Sequence, residues 1–404
     1  MSHLKLSSIL QDEIKKCGPI PFARFMEHCL YHPEFGYYCS PRDKIGLEAD
    51  YDTSPSIHPV FAKLLGKQIL QMALLLKDST DKKITLFEFG AGEGTLCLGI
   101  LDFLQKEAPD IFNAITYVLI EKSPSFRLRQ KERLLSRYPH TVLWKDQMPQ
   151  DQIGIVLSNE FVDALPVHRM RIEMNPTVGA GLERTPTLPV PTLKEIYVDW
   201  EEEHFTERLE VPSSPTLLSY FDRLGIQISR APFDCEINLL ALDWMRSVGA
   251  CLKKGFVLTI DYGYPADQLY HPSRYRGTFL CYYQHTISEN PYTHIGEQDM
   301  TSHIDFTALA RAGEEVALHV VGFTDQTHFL MGLGIAQEMQ TAADRMHESE
   351  EAKKDFLAMK ALMDPHQMGT VFKVLVQEKN ITDSISLDGL TFPAYPKGRL
   401  SVHA

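Results

Sequence analysis

The sequence predicts an α/β protein built on one doubly wound sheet of seven strands. Three observations carry this prediction. An apolar run at 84–89 leads through a tight glycine turn into a helical stripe that begins at Leu96. The next apolar run ends on a carboxylate, Glu121. Strand-like and helical segments then alternate along most of the remaining chain, which is the pattern of a parallel sheet covered on both faces.

The glycine turn is the first candidate for a ligand site. Gly90, Gly92 and Gly94 follow the first strand at intervals of two residues. Glycine tolerates the sharp turn and lets a ligand approach the backbone without a Cβ atom in its path. The start of the following helix favours polar or anionic groups. A strand–helix turn without a ligand explains the same glycines, so the pattern is informative only together with the sequence features around it.

The second strand, at 116–121, ends on Glu121, 27 positions after Gly94 (from 94 to 121). In nucleotide-binding sheets an acid here accepts hydrogen bonds from ribose hydroxyls, and about 20 residues is the usual dehydrogenase spacing. The longer gap and the G-x-G-x-G run make a nicotinamide enzyme the least favoured alternative. With Glu88 two residues before Gly90, the run resembles the first motif of the class I S-adenosylmethionine (AdoMet) methyltransferases, and this resemblance implies AdoMet as the cofactor.

Three further residues are candidates for cofactor contact. Asp146 follows the third strand, at 141–144, where the methyltransferase pattern places an acceptor for the adenine amino group. An ordinary surface aspartate explains it equally well. Thr53 and Ser54 offer hydroxyl groups just before a predicted helix at 59–76, and a simple helix cap is the alternative reading for them.

The fourth strand, at 154–158, delivers the candidate catalytic residues Asn159, Glu160 and Asp163 to its carboxyl end. This is the edge where open α/β sheets bind their ligands. Two carboxylates three residues apart could hold a guanidinium in a bidentate grip and help it to lose a proton. Capping of the following segment explains the same three residues.

The remaining patterns predict the other elements and a division of the chain. Strands are expected at 167–172, 195–200, 255–263, 316–321 and 371–377, and helices at 7–16, 21–30, 236–251, 305–311 and 326–362. We divide the chain into a helical N-terminal cap (1–80), a first part of the core (81–166), an insertion between the fourth and fifth strands (167–250), a second part of the core (251–380) and a tail (381–404). A substrate lid and a structural decoration both fit the insertion.

Composition restricts the classes of function. The 404 residues suffice for one elaborated domain or two domains, and 44% hydrophobic with 23% charged residues is typical of a globular protein. The net charge of −13, without a long Lys/Arg block, argues against a nucleic-acid partner. It would suit a basic protein partner that presents arginine or lysine, although solubility alone also explains it.

Cysteine and histidine usage argues against a metal site and an oxidising compartment. The seven cysteines are scattered and never form C-x-x-C, which indicates reduced thiols and a cytoplasmic location. The histidine-rich stretch at 264–303 has no H-x-x-x-H pair typical of zinc. We expect no signal or transit peptide, and no run of 18 apolar residues predicts a membrane span.

Longer motifs make the resemblance specific to one family. They are Gly18-Pro19-Ile20, Tyr31-His32-Pro33-Glu34-Phe35-Gly36-Tyr37-Tyr38, Thr53-Ser54-Pro55, Ser158-Asn159-Glu160-Phe161-Val162-Asp163-Ala164-Leu165-Pro166-Val167, Asp261-Tyr262-Gly263-Tyr264 and Gly296-Glu297-Gln298-Asp299-Met300. They span roughly residues 18–320 and resemble the MidA family of methyltransferase-fold proteins from bacteria and mitochondria. The resemblance implies protein arginine N-methylation, because the mitochondrial relative makes symmetric dimethylarginine on a respiratory complex I subunit. The target of this chain need not be that subunit.

Three functions therefore remain open on the sequence alone. The first is an AdoMet-dependent protein methyltransferase acting on arginine. The second is a methyltransferase for a small molecule or another side chain. The third is a non-catalytic assembly factor that keeps the fold, against which the complete glycine set and Glu121 argue.

Overall fold

The structure is a computed structural model that describes residues 2–40, 54–77, 83–175, 190–382 and 384–400. Its helices are α1 (Ser2–Cys17), α2 (Phe22–Tyr31), α3 (Ser54–Ile57), α4 (Pro59–Lys77), α5 (Thr95–Glu107), α6 (Pro109–Ala114), α7 (Pro124–Leu134), α8 (Pro215–Leu218), α9 (Tyr220–Leu224), α10 (Leu239–Cys251), α11 (Ala266–Leu269), α12 (Phe306–Glu314), α13 (Gln326–Gly332), α14 (Ile335–Arg345) and α15 (Glu350–Met363), with 3₁₀ turns at Pro272–Arg274 and Asp388–Leu390.

The strands are β1 (Ile20–Pro21), β2 (Ile84–Phe89), β3 (Ile115–Ile120), β4 (Val142–Lys145), β5 (Gln152–Asn159), β6 (His168–Asn175), β7 (Val190–Glu201), β8 (His204–Glu210), β9 (Phe233–Ile237), β10 (Leu252–Tyr264), β11 (Leu280–Tyr283), β12 (Thr286–Ser288), β13 (Asp299–Thr301), β14 (Ile304–Asp305), β15 (His319–Asp325) and β16 (Phe372–Lys379).

The central sheet has the order β15-β16-β10-β5-β2-β3-β4, and the short β14 pairs with β10 beside this path. The strands from β10 to β4 are parallel, whereas β16 runs antiparallel to both of its neighbours. This mostly parallel α/β sheet is the fold class that the sequence predicts. All the carboxyl ends of its parallel strands lie along one edge.

Side chains alternate between two apolar cores on the two faces of this sheet, as the period of two in a strand requires. On β2, Leu86 belongs to the core beneath α4 and α5, and Phe87 to the core that contains residues of α10 and α12. Both cores consist of nearly inaccessible side chains. The sheet is therefore buried on both faces, which explains why most residues of its central strands are apolar.

Helix α4 is the one helix in the described part of the chain that is long and apolar enough to cross a membrane. Within the most apolar 18-residue window of this helix, 61% is buried inside the protein. Phe61, Leu65 and Ile69 are fully buried in the core against the sheet. The helix is therefore accounted for as a core element, and it packs within the core although the sequence division placed it in the cap.

A second sheet consists of β1, β6, β7, β8 and β9, and all of these strands except β1 lie between β5 and β10 in the chain. Strand β1 pairs with β7, and Phe22 and Phe25 of α2 pack in a third core with Val198 and Phe205. The first two helices thus pack on the strands of the predicted insertion. A small three-stranded sheet of β12, β11 and β13 completes the fold.

Candidate functional site

A cavity of about 1710 Å³ opens at the carboxyl ends of β2, β3 and β5. Its walls are the glycine turn, the segments after β3 and β4, the turn after β5, one face of α10 and part of α2. The volume exceeds the ~300–1,000 Å³ typical of a site for one small ligand. The cavity therefore has room for a cofactor and part of a second substrate.

The three predicted glycines all adopt positive φ, but they serve different purposes. Gly90 and Gly92, at φ 67° and 53°, line the cavity. A Cβ atom on Gly90 would lie 2.8 Å from the ring of Phe161, so the absence of a side chain on Gly90 makes room for that ring. Gly94, at φ 78°, precedes α5 and is not among the lining residues. It shapes the turn instead of facing a ligand.

Glu121 lies on the cavity wall at the tip of β3, as predicted. Its side chain is almost fully buried, and its carboxylate accepts hydrogen bonds from the Ser123 backbone N–H at 2.8 Å and from Gln130 Nε2 at 3.2 Å. Burial raises the pKa of Glu121. A carboxylate with two oxygens retains lone pairs for further donors, such as the hydroxyls of a ribose.

Glu88 also lines the cavity, but its carboxylate forms a hydrogen bond with a buried side chain. The Tyr117 hydroxyl donates to Glu88 Oε2 at 2.7 Å, and the residue is 2% exposed. Burial raises the pKa of Glu88 to about 7. Glu88 therefore supports the floor of the cavity beneath the glycine turn.

The other predicted cofactor residues differ in their positions relative to the cavity. Asp146 lines the cavity edge, with an 83% exposed side chain that pairs with Arg127 at 2.6 Å. The structure corrects the prediction that the Ser54 hydroxyl contacts the cofactor. Ser54 is fully buried, its hydroxyl lies 3.3 Å from Gln326 Oε1, and it is absent from the cavity wall. Its backbone N–H donates to Glu160 at 2.9 Å, so it acts through that residue. Thr53 lies outside the described residues.

Asn159 and Glu160 reach the cavity together from the end of β5. Asn159 Nδ2 donates to Glu160 Oε1 at 2.9 Å, the same oxygen that accepts from Ser54. Asn159 is 8% exposed, and its Oδ1 atom has no hydrogen-bond partner among the described residues. The wall thus presents a carboxylate beside a vacant acceptor, a combination that suits a group rich in N–H donors.

Asp163 does not join this pair, which corrects the predicted bidentate grip. It is 5% exposed, accepts a hydrogen bond from the Tyr262 hydroxyl and is absent from the cavity wall. Burial raises the pKa of Asp163 to about 6. Its carboxylate belongs to the packing behind the turn, and Glu160 is the acid of the two that faces the cavity.

Sequence reasoning missed an aromatic wall formed by Phe89, Phe161 and Trp244, which all line the cavity. Their ring centroids lie 5.5–5.7 Å apart in tilted or edge-to-face arrangements. Such rings exclude water and attract cations to their faces. Phe89 and Phe161 adjoin predicted site residues, so their positions in the sequence gave a signal. Trp244, in the middle of α10, gave none.

Comparison with known proteins identifies the family. A model of S-adenosyl-L-methionine-dependent methyltransferases, Methyltransf_28, matches residues 64–324. This range covers more than half of the chain and contains the whole glycine turn and the end of β5. The chain belongs to this methyltransferase family. The resemblance inferred from the sequence motifs is thereby confirmed.

Individual relatives agree with this methyltransferase assignment. The Drosophila melanogaster protein named Protein arginine methyltransferase NDUFAF7 homolog, mitochondrial, is 28% identical over 92% of this chain and 84% of its own length. The human NDUFAF7 protein of the same description is 25% identical over 90% and 81%. A COG1565 superfamily protein from Burkholderia thailandensis, crystallised with S-adenosyl-homocysteine, superposes with a TM-score of 0.82 at 28% identity over 96% and 95% of the two chains.

AdoMet is the cofactor of this methyltransferase, and the residues of the cavity fit it. Glu121 offers buried acceptors at the strand tip where a ribose binds, and the turn at Gly92 leaves the backbone open. Within the described residues, no group of His, Cys, Asp or Glu side chains could hold a metal ion.

Proposed function

We propose that this methyltransferase transfers a methyl group to a guanidinium nitrogen of a protein arginine. The observation that carries the proposal is the pair formed by Asn159 and Glu160 on the cavity wall. Guanidinium has five N–H donors and no acceptor, and this wall offers it a carboxylate and an unpartnered carbonyl oxygen. The names of the relatives support the same substrate class.

The charge of the cavity also suits a cation. Apart from Glu88, whose pKa burial raises to about 7, six described lining residues are acidic and three are basic, so the wall is on balance negative: Glu27, Glu93, Glu121, Asp146, Glu160 and Asp243 against Lys122, Arg133 and Lys145. Clefts lined by one sign of charge raise the local concentration of the opposite sign. An arginine side chain is therefore favoured over a neutral or anionic small molecule.

The residues would contribute orientation and proton acceptance. A bound AdoMet would supply an electrophilic methyl group on its sulfonium sulfur, and that sulfur would become a neutral thioether when the methyl group is transferred. Glu160 would accept an N–H of the guanidinium and so orient this group in the cavity. As the nitrogen–carbon bond forms, the nitrogen loses a proton, and Glu160 is placed to accept it. The aromatic wall keeps bulk water from the reacting atoms.

Glu160→Gln tests the proposal. We expect at least a 100-fold loss of kcat on arginine-bearing peptides, since general-base catalysis is worth roughly 10²–10⁴-fold. AdoMet affinity, measured by calorimetry, should stay within about threefold because glutamine preserves the shape of the wall. Mass spectrometry of the peptides measures methylarginine directly.

Glu338→Gln is the matched control, because Glu338 forms an ion pair with Lys63 and is not among the cavity residues. It should retain full turnover. Methylation of lysine or of a small molecule, but not of arginine, would contradict the substrate assignment. AdoMet binding without any turnover in the wild-type protein would instead favour a non-catalytic assembly factor.

A further inference from the structure

One buried carboxylate at the end of β10 binds the turn that carries Glu160. Asp261 Oδ2 accepts the backbone N–H groups of Phe161, Val162 and Asp163 at 3.2, 3.0 and 3.3 Å. Its other oxygen accepts from Tyr262 N at 2.9 Å. Asp261 is completely buried, and the cavity wall does not include it. Its contacts with the site are therefore indirect.

The turn needs such an anchor because its backbone is unusual. The Glu160 N–H donates to Ile260 O at 3.0 Å, continuing the pairing of β5 with β10. Glu160 then adopts φ +50°, a left-handed conformation that non-glycine residues rarely take. The next three N–H groups point to one side, and successive N–H groups arranged in this way form a concave site for an anion. The Asp261 carboxylate fills that site.

We infer that Asp261 is a positioning residue for methyl transfer, which holds the turn so that Glu160 faces the cavity. The inference rests on the proposed role of Glu160 as the acid that orients the guanidinium. Charge-assisted hydrogen bonds are roughly twice as strong as neutral ones. A carboxylate can accept all four N–H groups, whereas an amide in its place would turn its own N–H₂ donor towards one of them.

Asp261→Asn tests the inference with two readouts. Hydrogen exchange followed by mass spectrometry should show at least tenfold faster exchange in the peptide that covers 159–166, with unchanged exchange in β2 and β3. On arginine-bearing peptides kcat should fall at least 30-fold, while the AdoMet dissociation constant stays within threefold. Unchanged exchange over 159–166 overturns the inference, whatever the activity. If the variant does not fold, the wild-type protein decides: amides 161–163 must exchange as slowly as those of β10, and rapid exchange overturns the inference.

Asp305→Asn is the matched control. Asp305 is also buried, accepts the Ala308 N–H at 3.0 Å and the Tyr220 hydroxyl at 2.9 Å, and is not among the residues of the cavity wall. It should leave kcat within threefold of wild type. An equal loss in both variants overturns the inference. If wild-type protein methylates no arginine peptide, the proposed function fails, while the exchange readout still decides the role of Asp261.

Discussion

At the scale of single residues, the site depends on backbone conformations that side chains normally avoid. Among the described non-glycine residues with positive φ, Glu160 is the one that lines the cavity. Such conformations cost about 1–3 kcal/mol and persist where the surrounding structure enforces them. Here the enforcing groups are Asp261 and the ladder bond to Ile260. The cost is concentrated at the residue that the proposed chemistry needs.

Gly92→Val should abolish AdoMet binding. The residue lies on the cavity wall at φ 53°, so valine would add backbone strain of about 1–2 kcal/mol and introduce a branched side chain at this wall. Calorimetry should show at least a 100-fold weaker dissociation constant. Gly18→Val separates strain from obstruction, because Gly18 has φ 81° and open space around a Cβ atom. That control should bind AdoMet normally. Equal binding by both variants would exclude Gly92 from the site.

The residue types at the site could be read from the sequence, but their orientations could not. The strand-end rule placed Glu121, Asn159 and Glu160 at one edge, and they do line one cavity. Asp163 is also a carboxylic acid and lies only three residues from Glu160, yet its side chain turns towards Tyr262. The different orientations of the two side chains depend on the left-handed backbone conformation of Glu160. A glutamate in the sequence does not indicate such a conformation.

At the scale of elements, the glycine turn is positioned by close packing of the two helices beneath it. Gly99 on α5 faces Ala62 on α4, and a Cβ atom on Gly99 would lie 2.4 Å from the Ala62 Cβ. Because α5 begins directly after Gly94, any displacement of this helix moves the turn. The spacing of α4 and α5 is therefore part of the site.

Gly99→Ala should destabilise the wild-type protein but not an Ala62→Gly variant. Overpacking typically costs 1–3 kcal/mol, whereas the helix propensity of alanine returns about 1 kcal/mol. In the Ala62→Gly background the space is free and only the propensity gain remains. Urea unfolding of the four proteins gives the coupling energy, which we expect to be about 1–3 kcal/mol. A coupling energy near zero would show that α4 and α5 separate without cost.

The elements themselves were largely predictable, and their packing partners were not. The mostly apolar runs at 84–89 and 154–158 are strands with both faces buried, and a short apolar run of this kind was enough to predict them. The pairing of β1 with β7 joins segments almost 180 residues apart (Ile20 with Val198). No local pattern encodes such a contact, which is why the cap and the insertion were predicted as separate units.

At the scale of the whole molecule, the fold buries an unusual set of carboxyl groups around one edge of its sheet. Glu88, Asp163 and Asp305 are all nearly inaccessible, and burial raises the pKa of each one. A raised pKa means that the folded protein binds protons more tightly than the unfolded chain does. The stability of the protein should therefore fall as the pH rises through these values.

Glu88→Gln isolates one contribution to this pH dependence. In the unfolded chain a glutamate loses its proton near pH 4.5, and in the folded protein Glu88 loses it near pH 7. Its contribution to stability is complete below pH 4.5 and is lost between these limits, by about 1.4 kcal/mol per pH unit and about 3 kcal/mol in total. Glutamine cannot ionise and can still accept the Tyr117 hydroxyl, so the variant should show a flatter slope and exceed the stability of wild type at pH 8.

The measurement is the free energy of urea unfolding at pH 5, 6, 7 and 8. Asp163 and Asp305 titrate in the same direction in both proteins, so the difference between the two slopes belongs to Glu88 alone. Glu132→Gln makes the same chemical change on the exposed side of α7 and should reproduce the wild-type slope. A Glu88→Gln variant with that same slope would mean that Glu88 is ionised in the folded protein. It would then carry a full negative charge beneath the glycine turn and would add this charge to the acidic residues of the AdoMet cavity.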